Sequence, residues 1–372
     1  MKNYGSEGAA VNNRNIDRSS NPTEEILYRE QKLLRRSKRK RRLRALDRIF
    51  GFLLATLILA GVAGLGLEYV LVKGPSPALS EAFSMTMLET RRFRWVPGIF
   101  LSQDEVKALQ AEHDAYEEVI YDPSLIEINT DPEPVEESGE APNPYGDYDE
   151  DGDGIILERV TGNGYVGYMI KVLDPTRVFV SKGGAIYPLE SQCLANNALG
   201  GINGGAFQDD SGTGNGSIPE GLTVIDGQVI YPGFDSNCFV GLTREGRLVV
   251  GYFTMDDVVN MGIVGGVTFG PILVANGQPT KIAKFGSINP RTAIGQRQDG
   301  CILMLVIDGR QVHSNGANYS DLQEIMLEYG AVNAINLDGG SSTTMWYNGS
   351  YVNSCSSANG VARPIPDAFL FR

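Results

Sequence analysis

The sequence predicts a β-rich α+β fold, with a mixed sheet and few helices, carried behind a single N-terminal transmembrane helix. Three observations lead there. Residues 49–72, IFGFLLATLILAGVAGLGLEYVLV, are apolar almost throughout. From Ile155 onward the chain breaks into short β-type runs punctuated by glycine. In that part only two stretches carry helical spacing, about 188–198 and the residues after Ser320.

Taken in order, residues 1–48 form a basic tail. They hold 14 Lys/Arg and 6 Asp/Glu, whereas the rest of the chain holds 18 and 39, so the net charge of −13 conceals a split. Residues 1–34 lack sustained periodicity and read as disordered. Most of the basic excess lies in Arg35–Arg44, directly before the apolar run. Ile49 to Leu67, without a charge, spans roughly 28 Å as a helix, enough for a bilayer core. Basic residues on its N-terminal flank keep that side cytoplasmic and place everything from about residue 73 outside. A cleaved signal peptide would need a much shorter basic region and an earlier apolar core. Beside an apolar span, the basic run reads as an orientation signal that also touches anionic lipid, and no nucleic-acid partner is expected.

Residues 73–121 read as a membrane-proximal helical stalk, in which Ser102-Gln103-Asp104-Glu105 resembles a capping box. Residues 122–154 are rich in Pro, Asp and Glu with no Lys or Arg, and read as an acidic linker. Residues 155–372 are long enough for a core of their own. Leu222–Ile225, Asp226-Gly227 and Gln228–Tyr231 give a two-residue hairpin signal. A second hairpin with a longer turn follows over 238–252. Further strands are expected at 165–173, 176–181, 302–307, 332–337 and 366–371. Ser320 with Gln323 predicts a capped helix ended by Gly330. Cys193, Cys238, Cys301 and Cys355 all fall outside the membrane, which permits disulfides without specifying them.

Five segments interrupt strands with polar residues and glycine: Gly201–Phe207, Asn289–Gly295, Val306–Arg310, Asn336–Thr343 and Arg363-Pro364. Paired glycines let backbone N–H groups converge on an anion. Arginine offers a planar fork to phosphate or carboxylate, and an aspartate at a strand end can act as base, nucleophile or metal ligand. Singly, each is more often a turn or a surface residue. Together, GINGGAF, NPRTAIG, VIDGR, AINLDGGSSTTM and ARPIPDAFLF, in this order, resemble the phosphodiester glycosidase family over roughly 155–372. The chain departs from the family pattern at Ser341, where a third glycine is usual, and at Pro366-Asp367, where small residues or Asn are frequent.

The resemblance implies an exported hydrolase acting on a sugar-1-phosphodiester, in a cell-envelope glycopolymer or exopolysaccharide. The phosphate leaving group has a second pKa of about 6, so protonating it matters less than in an ordinary glycoside. Charge on the phosphate and one carboxylate suffice. Asp338 is the first candidate for that carboxylate and Asp308 the second. Arg291 and Arg363, with the backbone N–H groups of Gly204 and Gly205, are candidates for the phosphate. Asn203 and Asn336 would hold sugar hydroxyls or brace the aspartate. Thr292, Gly339, Gly340, Ser342 and Thr343 complete the set, and His313 borders it. No cofactor is required, although a divalent cation (Ca or Mg) at Asp338 is compatible with the chemistry. Two histidines and no G-x-S-x-G elbow argue against a serine hydrolase or a histidine-rich zinc centre. Asp147-x-Asp149-x-Asp151-Gly152-x₅-Glu158 fits the EF-hand loop pattern, but prolines precede it and a strand-like run follows, so it reads as acidic linker. The competing functions are a non-catalytic protein that binds polysaccharide or a partner in envelope assembly, and a calcium-dependent adhesin. Oligomeric state is left open.

Overall fold

The computed structural model describes residues 22–90, 93–113, 122–127, 145–181, 187–208, 218–282, 287–357 and 359–372. The chain divides into two compact units, Met1–Glu68 and Tyr69–Arg372. The first consists of most of helix α1, Pro22–Lys73. Its stretch Ile26–Lys73 has a mean hydropathy of 2.3 over its most apolar window, long and apolar enough to cross a membrane. The expectation of disorder through residue 34 is corrected here, because the helix begins at Pro22. Residues 22–48 are dominated by Glu, Leu, Lys, Arg and Gln, all strong helix formers. Residues 1–21 of the expected tail and 128–144 of the expected linker lie outside the described residues.

In the second unit, α2 (Pro77–Glu89) and α3 (Gln103–His113) precede the strands, and α4 (Leu189–Ala195), α5 (Met255–Asn260) and α6 (Tyr319–Glu328) fall among them. The Ser102–Glu105 capping box forms: Ser102 N donates to Glu105 Oε2 at 2.7 Å, and Glu105 N donates to Ser102 Oγ at 3.2 Å.

Three sheets follow. The largest has seven strands, formed by β1 (Ile155–Gly162), β2 (Tyr165–Val172), β10 (Ile272–Ala275), β11 (Gln278–Pro279), β12 (Arg291–Arg297), β13 (Ile302–Ile307) and β14 (Ala331–Leu337). Their spatial order is β1-β2-β13-β12-β14-β10-β11. The second sheet joins β3 (Val178–Val180), β4 (Gly200–Asn203), β15 (Met345–Tyr347), β16 (Ser350–Tyr351) and β17 (Ala368–Phe371) in the order β16-β15-β4-β17-β3. The third joins β5 (Leu222–Ile225), β6 (Gln228–Pro232), β7 (Asn237–Thr243), β8 (Leu248–Phe253) and β9 (Ile263–Thr268) as β6-β5-β9-β7-β8. The α+β class holds. The pairings that build these sheets are antiparallel, which refines the mixed sheet expected from sequence.

Alternation on β13 shows how the layers stack. Ile302, Met304 and Val306 enter a core shared with strands of the other two sheets. Leu303, Leu305 and Ile307 point the other way, to a second core with Leu322, Ile325 and Met326 of α6 (Tyr319–Glu328). A strand buried on both faces must be continuously apolar, as CILMLVI is. The β5–β6 turn has Asp226 at φ 51° and Gly227 at φ 73°, the left-handed pair that a two-residue hairpin needs. The cap of α6 differs from the sequence expectation. Asn318 and Asp321 form the capping box, and Gln323 instead donates to the carbonyls of Leu273 and Thr280.

Tyr145 onward packs on this unit rather than standing off as linker. Arg297 lies 3.9 Å over the Tyr145 ring, and Asp147 pairs with Arg297 at 2.6 Å and with Lys171. Asp147 would be the first EF-hand ligand, so its commitment to two buried cations, and strand β1 in place of an exit helix, disfavour an EF-hand. Asp149, Asp151 and Asp153 still bring carboxylates within 4.8 Å of one another. All four cysteines are free thiols.

Candidate active site

Strand register assembles the site. β12 lies between β13 and β14, with Arg291 opposite Ile307 and Thr292 opposite Leu337. The start of β12 therefore meets the ends of its two neighbours, where Asp308 and Asp338 follow. In the second sheet Asn203 lies opposite Ala368, which brings Asp367 beside Gly204. A cavity of about 440 Å³ opens here, lined among others by Glu89, Asn289, Arg291, Arg310, Asp338 and Gly340.

Asp338 is held by its backbone. Its N–H donates to Gly204 O at 3.1 Å, its carbonyl accepts from Asn203 Nδ2 at 2.6 Å, and its Oδ1 accepts from Gly339 N at 2.9 Å. Asn203 also accepts from Thr292 Oγ1 at 2.7 Å and Thr344 N at 3.1 Å, so both residues brace the aspartate from below. Asn336, fully buried, donates to Gly270 O at 2.7 Å and serves the same framework. Gly340 adopts φ 61°, and its N–H donates to Pro290 O at 2.9 Å, which folds the glycine loop back over β12. A Cβ on Gly339 would meet that same carbonyl at 2.8 Å, so the loop approaches β12 too closely for a side chain there.

Arg291 is 4% exposed. Its Nη2 donates to Ser287 O at 2.6 Å and Ser287 Oγ at 2.8 Å, its Nε donates to Ala317 O at 3.2 Å, and the guanidinium lies 4.1 Å over the Tyr319 ring. Burial opposes its charge, and Tyr319 and Glu89 outweigh that, so its pKa sits above the usual arginine value. Arg310 is drawn to the same place, its Nη2 donating to Asn289 Oδ1 at 2.7 Å. Burial and the nearby Arg291 charge lower its pKa, the signature of two guanidiniums converging.

Other expected residues are placed elsewhere. The amides of Gly204 and Gly205 are spent on Asp367, the first on its carbonyl at 3.2 Å and the second on Oδ1 at 2.7 Å, so they do not form the anticipated anion nest. Arg363 stacks 4.5 Å over Phe207 and does not line the cavity. Asp308 is buried, with Oδ1 accepting from Ser354 N at 2.9 Å and Asn353 Nδ2 at 3.1 Å, and Oδ2 3.0 Å from His313 Nε2. That pair lies beside the cavity rather than in its lining. Ser342 and Thr343 are buried, and their hydroxyls find no hydrogen-bond partner among the described residues.

Sequence reasoning missed three groups. Asn289 and Arg310 sat inside quoted motifs but looked like turn residues, Arg310 at φ 57° being one in fact. Asp367 was noted only as a departure from the family pattern. It is 1% exposed, and burial, with Asp338 nearby, raises its pKa to about 7.

Residues 196–372 match the family model described as phosphodiester glycosidase. The N-acetylglucosamine-1-phosphodiester alpha-N-acetylglucosaminidase of Homo sapiens is 29% identical over 211 residues, 49% of this chain and 40% of that protein. The enzyme of the same name from Mus musculus is 28% identical over 223 residues, 52% of this chain and 42% of that protein. The SPbeta prophage-derived uncharacterized protein YomE of Bacillus subtilis is 31% identical over 166 residues, 41% of this chain and 25% of that protein. The chain thus spans less than half the length of these curated relatives. Among solved structures, the zebrafish N-acetylglucosamine-1-phosphodiester alpha-N-acetylglucosaminidase catalytic domain, auto-inhibited by its pro-peptide, aligns with a TM-score of 0.50 at 24% identity. That alignment covers 59% of this chain and 82% of the zebrafish one, and it shows a shared fold.

Proposed function

We propose that this chain, whose residues 196–372 match the phosphodiester glycosidase family model, is a membrane-anchored extracytoplasmic hydrolase that cleaves the glycosidic bond of a sugar-1-phosphodiester. Its substrate would belong to an envelope glycopolymer or exopolysaccharide. The observation that carries the reading is the convergence of Asp338 with Arg291 and Arg310 on one cavity.

The guanidiniums neutralise the phosphate and improve it as a leaving group. Asp338, immediately before the glycine loop, attacks the anomeric carbon or activates the water that does. Its backbone is fixed by Asn203 and Gly204, which limits the motion that would spoil alignment. Asp367 remains largely protonated up to about pH 7 and so does not set a second negative charge beside Asp338. If a divalent cation binds, Asp338 would hold it from the cavity wall, and the cation would add charge against the phosphate.

The test is release of free reducing sugar from a panel of sugar-1-phosphodiesters by the full chain in detergent, with and without chelator. Release lost in both Asp338→Asn and Arg310→Ala, with unfolding temperatures unchanged, supports the assignment. Release by Asp338→Asn equal to wild type would overturn Asp338's role. Absence of release from every substrate, with polysaccharide still retained, would favour the binding-protein alternative.

A further inference from the structure

We infer that Phe93, Trp95 and Ile99 form a second membrane contact, a short turn that seats in the lipid headgroup layer beside the end of α1. This rests on the reading of α1 as a membrane span. About twenty residues of helix cross a bilayer core of about 30 Å, so a span entered at Ile49 leaves Tyr69 to Lys73 in the headgroup layer on the far side. The turn is tied to that level. Phe100 packs edge-on against the Tyr69 ring, with centroids 5.5 Å apart and planes at 76°. Val72 is buried, and its carbonyl accepts from Ser80 Oγ. Lys73 pairs at 2.5 Å with Glu105 in the first turn of α3. All of these contacts lie within the second unit, Tyr69–Arg372.

The turn's own backbone closes it twice. Val96 N donates to Phe93 O at 2.9 Å, and Leu101 N donates to Pro97 O at 2.8 Å. Pro97 is buried and holds the turn to the unit, while Phe93, Trp95 and Ile99 stand exposed, Trp95 at 66%. Large apolar side chains gathered on one short turn are costly to leave in water and mark a surface that meets something else. Composition points to lipid. Residues 91–95 read Arg-Arg-Phe-Arg-Trp, and these are the only arginines between Arg48 and Arg159. Aromatic rings settle at the headgroup level of a bilayer, and neighbouring guanidiniums can reach lipid phosphates there. A protein partner would explain exposed rings equally well, but not their position. The contact with Tyr69 sets the turn at the depth where such rings partition. Arg94 also belongs to the cavity lining, so the seat fixes the height of the cavity above the bilayer.

The experiment reconstitutes the full chain in phosphatidylcholine–phosphatidylglycerol vesicles whose acyl chains carry bromine either near the headgroup or near the bilayer centre. Tryptophan fluorescence is the readout. The chain has two tryptophans and Trp346 is buried, so Trp95→Phe supplies the background to subtract. The Trp95 emission is expected to fall by about half or more with shallow bromine and by less with deep bromine. Phe93→Ser/Ile99→Ser keeps the reporter, and should weaken that quenching while the protein still floats with the vesicles and keeps its unfolding temperature. Unquenched Trp95 in protein that floats with the vesicles would overturn the contact and leave the membrane span standing. Protein that fails to float would overturn the span, and the contact with it. Emission that is unquenched but blue-shifted, and reverts on dilution of protein in lipid, would assign the turn to a second copy of the chain and overturn the lipid reading. Quenching unchanged in the double serine variant would overturn the three-residue patch.

Discussion

Asp338 and Asp308 are near twins in sequence and opposites in the structure. Each ends a buried apolar strand, each precedes glycine, and the two strands flank β12 on either side. Asp338 lines the same cavity as Arg291 and Arg310. Asp308 is 1% exposed and divides its oxygens between Asn353, Ser354 and His313. The difference teaches that an Asp-Gly at a strand end is a site only where it lines a cavity. Where it is buried against a neighbouring loop, as Asp308 is against residues 353 and 354, the same dipeptide becomes a clamp.

Breaking each aspartate in turn should give opposite phenotypes. Asp338→Asn is expected to lower kcat by about 10³-fold or more while leaving Tm nearly unchanged, as removal of a reacting group does. Steady-state kinetics and thermal unfolding on one preparation check it, and an unfolding shift with intact kcat would reverse the roles of the two residues. Asp308→Ala should instead cost about 2–4 kcal/mol of stability, because it strands the buried Asn353 amide and removes the acceptor that holds Ser354 N. Denaturant titration reads the loss, and the protein that remains folded should turn over within a few-fold of wild type.

The contrast between these aspartates could not be read from the sequence, while much of the scaffold could. The Asp226-Gly227 hairpin, the Ser102–Glu105 cap and the run 302–307 depend on neighbours a few residues apart, and each forms as its local chemistry dictates. The α6 cap failed because Asn318–Asp321 and Ser320–Gln323 both satisfy the local rule. The choice was made by Leu273 and Thr280, whose carbonyls take the Gln323 amide. The Gly204 and Gly205 amides failed in the same way, claimed by the carbonyl and the carboxyl of Asp367, more than 160 residues away in sequence. Glu89 against Arg291 spans 202 positions, and no spacing rule reaches that far. Motif residues were legible as a set. Which of them face the cavity depended on register and on partners distant in the chain.

Asp367 sharpens the comparison as a third aspartate at the same end, buried like Asp308 but with Oδ2 lacking a partner among the described residues. Its folded pKa of about 7 exceeds the ordinary 3.8. Between those values the folded state keeps a proton that the unfolded state has lost, so stability falls as pH rises through the window and levels off above it. Asp367→Asn lacks that slope. It should match wild type near pH 4 and exceed it by about 1–2 kcal/mol at pH 8, an effect smaller than the full linkage because a buried site relaxes. Unfolding curves from pH 4 to 8 decide this, and parallel profiles for the two proteins would show that Asp367 is ionised throughout.

The smallest expected effect is also the sharpest test of the clamp. His313 has 46% of its side chain exposed and pairs with Asp308 at 3.0 Å, a geometry that in another setting would be a base and its orienting carboxylate. What argues otherwise is position: Asp308 already holds the 353–354 loop, and neither residue reaches the lining around Asp338. With the imidazole half exposed, the pair contributes less than about 1 kcal/mol. His313→Ala should therefore leave kcat within two- to three-fold of wild type and shift Tm only slightly. The pH–rate profile of the variant is the decisive readout. A profile superimposable on wild type keeps Asp308 and His313 in the framework. Loss of a limb of that profile, with a tenfold fall in kcat, would make the pair part of the reaction and merge the two regions that the structure keeps apart.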